Sequence, residues 1–139
     1  MRKITEIIIH CSATPEGRNV TVEEIRAWHK ERGFNDIGYH YIIDLDGIIL
    51  AGRPVEKPGA HCVRHNTHSI GICYIGGTDA HGIPKDTRTP EQKESLKNLV
   101  YDLSLKFKGA TIHGHNDFSD KDCPCFSVKD ENFEKSLWI

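Results

Sequence analysis

The sequence predicts an α/β fold: one domain spanning residues 1–139, with a central mixed β-sheet covered by helices. Three observations carry this. The runs Ile7-Ile8-Ile9 and Ile70 to Ile75 are apolar at consecutive positions, the pattern of strands buried on both faces. Two helix starts carry capping-box spacing, Thr21 to Glu24 and Thr89 to Gln92, so helices interrupt the strands. Between them Asp44-Leu45-Asp46-Gly47 supplies a turn between two short strand-like runs, which calls for an antiparallel hairpin in an otherwise crossover-connected sheet.

Taken in order, Ile4 to His10 reads as a first central strand. Thr21-Val22-Glu23-Glu24 opens a helix whose Val22, Ile25, Trp28, His29 and Arg32 follow helical spacing, and Gly33 stops it. Ile37 to Ile43 reads as the next strand, paired through the Asp44–Gly47 turn with Ile48-Ile49-Leu50. From Gly52 to Ser69 the chain is rich in Gly, Pro, His and Asn, a long surface loop. Ser69 to Gly76 is a nearly all-apolar central strand, and Gly76 to Thr89 a polar loop. Pro90 in the first turn strengthens the second helix start, Leu96, Leu99, Val100, Leu103 and Phe107 mark its apolar face, and Gly109 ends it. Ala110 to His113 is a short strand, and Ser127 to about Lys135 a final short helix.

At 139 residues the chain has room for one ordinary core. A hydrophobic content of 37% and a formal charge of −2 give no broad basic excess, so no nucleic-acid partner is expected. No apolar segment reads as a secretion signal or a membrane span, so synthesis in the cytoplasm without a signal peptide and no membrane insertion are expected. Cysteines at 11, 62, 73, 123 and 125 are odd in number and irregular in spacing, a poor disulfide framework that leaves at least one free or metal-bound.

His10 ends the first strand, His115 follows the last by two residues, and Cys123 lies eight positions later in a turn-rich segment able to bend back. Both histidines can therefore project from one sheet edge. Two neutral imidazoles and one thiolate form a three-ligand set for zinc with a fourth position open, the pattern of a catalytic site. With Zn²⁺ that set keeps a net charge of about +1, suited to activating water and stabilising a developing oxyanion. Metal-assisted hydrolysis of an amide or ester is the chemistry expected. Tyr39 and Lys121 are the non-ligand candidates, a phenol to guide water or substrate and an ammonium to face the oxyanion. Two other clusters compete: His61-Cys62-Val63-Arg64-His65-Asn66-Thr67-His68, and Cys123-Pro124-Cys125. No His-Glu-x-x-His helix is present, so an inline glutamate base is not expected.

Four separated segments, Ile8-Ile9-His10-Cys11-Ser12-Ala13-Thr14, Gly38-Tyr39-His40-Tyr41, Gly59-Ala60-His61 with Asn66 and Ser69-Ile70-Gly71, and Lys121-Asp122-Cys123-Pro124, resemble the type 2 zinc-dependent N-acetylmuramoyl-L-alanine amidases. That family shares its domain with the peptidoglycan recognition proteins, and the strongest resemblance is to short phage amidases called phage lysozymes. The likeness runs from about Ile4 to Phe126. It implies one zinc per chain on His10, His115 and Cys123, with Tyr39 and Lys121 as catalytic side chains. It also implies hydrolysis of the amide joining the lactyl group of N-acetylmuramic acid to L-alanine in peptidoglycan or muropeptides. His61 matches a groove position and is expected to contact substrate; Arg64, with Arg53 and Lys57, is a further candidate contact. His113 is not the matching ligand. The groove is expected between the 52–69 and 77–88 loops.

The alternative is a peptidoglycan-binding module that does not cut, since relatives within this fold lack the metal; His10, His115, Cys123, Tyr39 and Lys121 all being present favours hydrolysis. A regulatory protein-interaction domain finds no charge block to support it. A monomer is expected, reaching the cell wall during lysis as a phage or prophage enzyme or acting in the cytosol on recycled muropeptides.

Overall fold

The computed structural model describes residues 1–133. Along the chain run strands β1 (Glu6–Cys11) and β2 (Thr14–Pro15), helix α1 (Val22–Glu31), strands β3 (Tyr41–Ile43), β4 (Ile49–Ala51), β5 (Ser69–Tyr74) and β6 (Gly77–Thr78), helix α2 (Pro90–Lys106) and strand β7 (Thr111–Gly114). Five strands form one mixed sheet in the order β4-β3-β5-β1-β7, and β2 and β6 pair as a small separate ribbon. The hairpin β3–β4 is antiparallel; β3–β5, β5–β1 and β1–β7 are parallel. The α/β class and the mixed sheet thus match what the sequence predicts.

Strands β1 and β5 are buried on both faces, and their alternation assigns each face a different job. Ile7, Ile9 and Cys11, with Ile70, Ile72 and Tyr74, pack with Leu96, Leu99, Val100 and Leu103 of α2. Each aliphatic side chain so buried contributes roughly 1.5–3 kcal/mol. The opposite face carries His10 from β1 and Gly71 and Cys73 from β5, with His10 in register with Cys73. Beside it a smaller cluster of Val20, Ile25, Ile37, Ile42 and Ile75 seats α1.

Both capping boxes form: Thr21 and Glu24 exchange side-chain and backbone bonds at the start of α1, and Thr89 and Gln92 do so at α2. Gln92 has a second task, because its amide nitrogen donates to the Ile75 carbonyl at 2.9 Å and ties α2 to the end of β5. Gly33 and Gly109 lie just beyond the two helices at φ of +94° and +87°, the left-handed conformation that glycine tolerates.

One strand is shorter than its sequence pattern. Of Ile37 to Ile43, only Tyr41–Ile43 is regular strand. The preceding residues are held by side chains instead of a full ladder: Gly38 donates its amide to His29 Nδ1 at 2.8 Å, and the Arg53 guanidinium donates to the carbonyls of Ile37, Asp36 and Pro58. Gly38 also lies so near the Ala60 carbonyl that a Cβ would meet that oxygen at 2.1 Å. This irregular backbone carries Tyr39. At the C-terminal end, Lys129–Glu131 forms a 3-10 turn within the segment expected to be helical from Ser127 to about Lys135, whose last residues lie outside those described.

The buried Tyr74 hydroxyl donates to the Pro124 carbonyl at 2.6 Å, fastening the C-terminal turn to the central strand. Replacing it with phenylalanine leaves a buried carbonyl without its donor, so Tyr74→Phe is expected to lower unfolding free energy by about 1–3 kcal/mol in urea titration. An unchanged midpoint would contradict that anchoring.

Two histidines serve as buried acceptors. His29 takes the Gly38 amide and His40 takes the Gly71 amide at 3.0 Å. Burial, then the charges of Arg32 and Arg53, lowers His29 from 6.5 to about 4; burial likewise lowers His40 to about 4, against a raising contribution from its bond to the Lys57 carbonyl. The folded state binds fewer protons than the unfolded chain between these values, so stability is complete above about pH 6.5 and is lost as pH falls toward 4. Each imidazole contributes a slope of up to about 1.4 kcal/mol per pH unit. His29→Asn, which keeps an acceptor oxygen for Gly38 but does not titrate, is expected to flatten the stability profile between pH 6.5 and 4 by up to that slope. A profile parallel to that of the unsubstituted protein would refute the assignment.

Candidate metal centre

His10 arrives at the site on the C-terminal end of β1, and the pleat decides which way it faces. Its neighbours in sequence, Ile9 and Cys11, belong to the α2 core, so the His10 imidazole is turned to the α1 side, almost wholly buried. Ile9 pairs with Gly114 at the end of β7, so the residue after Gly114 emerges beside His10. That residue is His115, opening a 3-10 turn braced by the Asp117 carboxylate, which accepts the Gly114 amide at 2.9 Å. The two imidazole rings lie 4.6 Å apart between centroids.

Cys123 returns to the same point through the turn that follows. Ser119 Oγ donates to the His115 carbonyl, the Lys121 amide donates to Ser119 Oγ, and the Cys125 amide closes onto the Asp122 carbonyl. The Cys123 sulfur accepts the Cys11 amide at 3.2 Å and sits 3.7 Å from His10 Nδ1. One ligating atom from each of His10, His115 and Cys123 lies within 4.8 Å of the others. Zinc bonds of about 2.1 Å to nitrogen and 2.3 Å to sulfur set ligand atoms roughly 3.3–3.6 Å apart across a tetrahedral angle, so the His10–Cys123 separation already suits a shared cation. Burial, reinforced by His61, His115 and Lys121, holds His10 well below the usual imidazole range. Burial and then Lys121 lower His115. Both are therefore neutral at pH 7, the form that binds a metal.

The competing clusters dissolve into separate tasks. In the 61–68 loop, His65 Nδ1 lies 2.9 Å from the Glu6 carboxylate and its ring stacks on Phe118 at 3.9 Å, while His68 bonds the Lys3 carbonyl. His61 lies beneath His10 with both ring nitrogens engaged, one to His10 Nε2 at 2.8 Å and one to Ser69 Oγ at 3.1 Å. Cys125 turns from Cys123 toward Cys11, with 3.9 Å between the sulfurs. A hydrogen bond with Cys123 and burial push the Cys11 thiol up, and burial with Cys11 pushes Cys125 up to about 12, so both remain thiols.

Above the three converging side chains opens a cavity of about 530 Å³. Tyr39 and Lys121 both line it. The Tyr39 ring stands 5.1 Å from His10 and 5.2 Å from His29; burial and the nearby Cys73, Cys123 and Cys11 raise its phenol, which stays protonated. Lys121 is exposed, yet near enough for its charge to lower both His10 and His115. One wall is the 60–66 stretch of the long loop, as the sequence suggests. The other is not the 77–88 loop: that segment folds back on itself, Lys85 donating its amide to the Gly77 carbonyl and pairing through its ammonium with Glu16. Trp28, His29, Arg32 and Phe34, on and just after α1, take its place. The helical spacing of Trp28, His29 and Arg32 announces a packed stripe, and nothing in it says that the stripe faces a cleft. Of the remaining candidates, Arg53 is spent on backbone carbonyls, and Arg64 is exposed beside the lining residue Val63 without lining the cavity itself.

A family model described as N-acetylmuramoyl-L-alanine amidase matches residues 1–126. The chain is 42% identical over 128 residues to an endolysin of Klebsiella phage KP32, covering 92% of this chain and 85% of the phage protein. Its fold superposes with a TM-score of 0.83 on N-acetylmuramoyl-L-alanine amidase LysC from Clostridium intestinale, at 28% identity, covering 99% of this chain and 87% of that one. A Drosophila PGRP-LB mutant in complex with tracheal cytotoxin gives a TM-score of 0.77 at 28% identity, covering 94% of this chain and 80% of that one. With its histidines and cysteine gathered under an open groove, this chain belongs to the N-acetylmuramoyl-L-alanine amidase family and is an enzyme of that class.

Proposed function

We propose that the chain hydrolyses the amide between the lactyl group of N-acetylmuramic acid and L-alanine, in peptidoglycan or muropeptides, with one zinc held by His10, His115 and Cys123. The convergence of those three side chains at the base of a groove that also holds Tyr39 and Lys121 carries this reading. The donors fit the metal: two neutral imidazoles and one sulfur make a borderline-soft set with a coordination position left over. Bound there, zinc supplies Lewis acidity toward a carbonyl and makes water a nucleophile near neutral pH.

The chain's own groups then divide the remaining work. Tyr39, a protonated phenol beside His10, donates a hydrogen bond to the substrate oxygen or orients the attacking water. The Lys121 ammonium, on the solvent side of the cavity, faces the charge that develops on the carbonyl oxygen. The aromatic and basic α1 wall offers Trp28, Phe34 and Arg32 to a ligand that mixes sugar, peptide and carboxylate groups. Likeness to a recognition protein holding tracheal cytotoxin supports a muropeptide in this groove. His61 is among the residues lining the cavity, within reach of a bound substrate, and contact with Arg64 would involve substrate extending beyond the cavity. Likeness to phage endolysins supports a bacteriolytic role exercised on the cell wall. Among the described residues no helix is long and apolar enough to cross a membrane.

Purified protein is expected to carry about one zinc per chain by elemental analysis. It should release from peptidoglycan peptides with free L-alanine amino termini, seen by mass spectrometry. Full activity after rigorous zinc removal would refute the mechanism, and zinc-loaded protein that binds muropeptide without cutting it would leave a binding module. Cys123→Ala should lose metal and activity together. By contrast, Lys121→Ala should keep its zinc while turnover falls about 10²–10³-fold, the usual effect of removing one oxyanion-stabilising donor. Loss of zinc from Lys121→Ala would contradict its assigned role.

A further inference from the structure

We propose that His61 is a positioning residue: through its hydrogen bond it fixes the tautomer and ring direction of His10, so that His10 presents Nδ1 to the metal. The inference rests on the zinc reading above and adds to it an element outside the ligand set. His10 Nε2 lies 2.8 Å from His61 Nδ1, while His10 Nδ1 faces the Cys123 sulfur at 3.7 Å. One nitrogen of His10 therefore points into the ligand cluster and the other away from it, into a buried bond. His61 Nε2 is in turn 3.1 Å from Ser69 Oγ, and Ser69 is wholly buried. In a chain of neutral groups only one proton arrangement leaves His10 Nδ1 with a free lone pair. His10 Nε2–H donates to His61 Nδ1, and His61 Nε2–H donates to Ser69 Oγ.

The surroundings are shaped to hold the His61 ring in place. A Cβ on Gly71 would meet the ring at 2.7 Å, and a Cβ on Gly59 would meet it at 2.6 Å, so both positions are kept clear for the imidazole. The rings of His10 and His61 stand edge to face, with 4.8 Å between centroids. Asn66 Oδ1 accepts the amides of both His61 and Cys62 at 2.9 Å, which fixes the loop backbone that delivers the ring. Glycine beneath, a side-chain brace behind and a hydroxyl at the far nitrogen leave His61 one orientation. Acceptors placed behind a ligating imidazole commonly matter by 10–100-fold in metal affinity.

The test uses full-length protein and zinc itself, in competition with a chromophoric chelator. His61→Leu is expected to bind zinc roughly 10–100-fold more weakly than the unsubstituted protein. His61→Asn, whose amide oxygen occupies the place of Nδ1, should recover most of that loss. Equal losses in the two variants would show that ring packing alone matters and overturn the inference, as would unchanged affinity in His61→Leu. A second measurement covers failure of the leucine variant to fold: ¹⁵N spectra of the unsubstituted zinc-loaded protein should show His61 as the Nε2–H tautomer. Finding His61 protonated at Nδ1 would overturn the proposal. If the unsubstituted protein takes up no zinc in the same assay, the functional reading itself fails; if it does while His61→Leu binds equally well, only the positioning role fails.

Discussion

The site depends first on the parallel register of β1 between β5 and β7. That register sets Ile9 against Gly114 and His10 against Cys73, so the last cleft-facing residue of β1 and the first residue beyond β7 meet at one end of the sheet. Because side chains alternate along a strand, a slip of one residue would turn His10 into the α2 core and put an isoleucine or a cysteine over the cleft. The wholly buried Ile7 and Ile9 make such a slip costly, since both would leave the α2 core at the same time. Apolar packing on one face of the sheet thus fixes polar geometry on the other.

Burying several imidazoles together is possible only where each nitrogen has a partner or reaches the cavity. The sheet supplies room and partners at once. Gly71 and Cys73 are the small residues on the cleft face of β5, and above them lie the rings that a larger side chain would displace. His40 accepts the Gly71 amide, His29 accepts the Gly38 amide, and His61 links His10 to Ser69. These bonds also explain why the backbone before β3 leaves the strand path. It is drawn to the histidines that hold it, and Tyr39 comes with it to the side of His10.

Much of this was legible in residue patterns, because local chemistry determined the outcome. The two capping boxes, the doubly buried strands and the hairpin form where periodicity and turn residues put them, and His10 and His115 at strand ends converge with Cys123, brought back by its turn-rich segment. What the pattern could not show depends on contacts distant in sequence. Ile37 to Tyr39 have strand composition, but bonds from His29 and Arg53 bend them; the second groove wall belongs to α1 because of how that helix is seated, not because of its composition. His61 shows the same limit. In a histidine-rich loop it reads as a metal ligand or a substrate contact, and its link to His10 appears only once Gly59, Asn66 and Gly71 are seen to enclose it.

The arrangement also resolves a conflict between what a ligand needs and what a reaction needs. Buried imidazoles are kept neutral by desolvation, which suits metal binding but means that they bring no positive charge of their own to the base of the site. Lys121 stands two residues before Cys123, on the exposed part of the same turn, where solvation costs it little. From there its charge acts in two directions. Toward the interior it disfavours protonation of His10 and His115 and so keeps them in the neutral form that a metal ion would require; toward the groove it lines the cavity in which the proposed reaction would place negative charge. Joining the cation to the cysteine through one short turn makes both effects follow from a single placement, and Tyr74 fastens that turn to the centre of the sheet. The rigid interior and the solvent-facing charge are therefore parts of one device, with β5 as its common support.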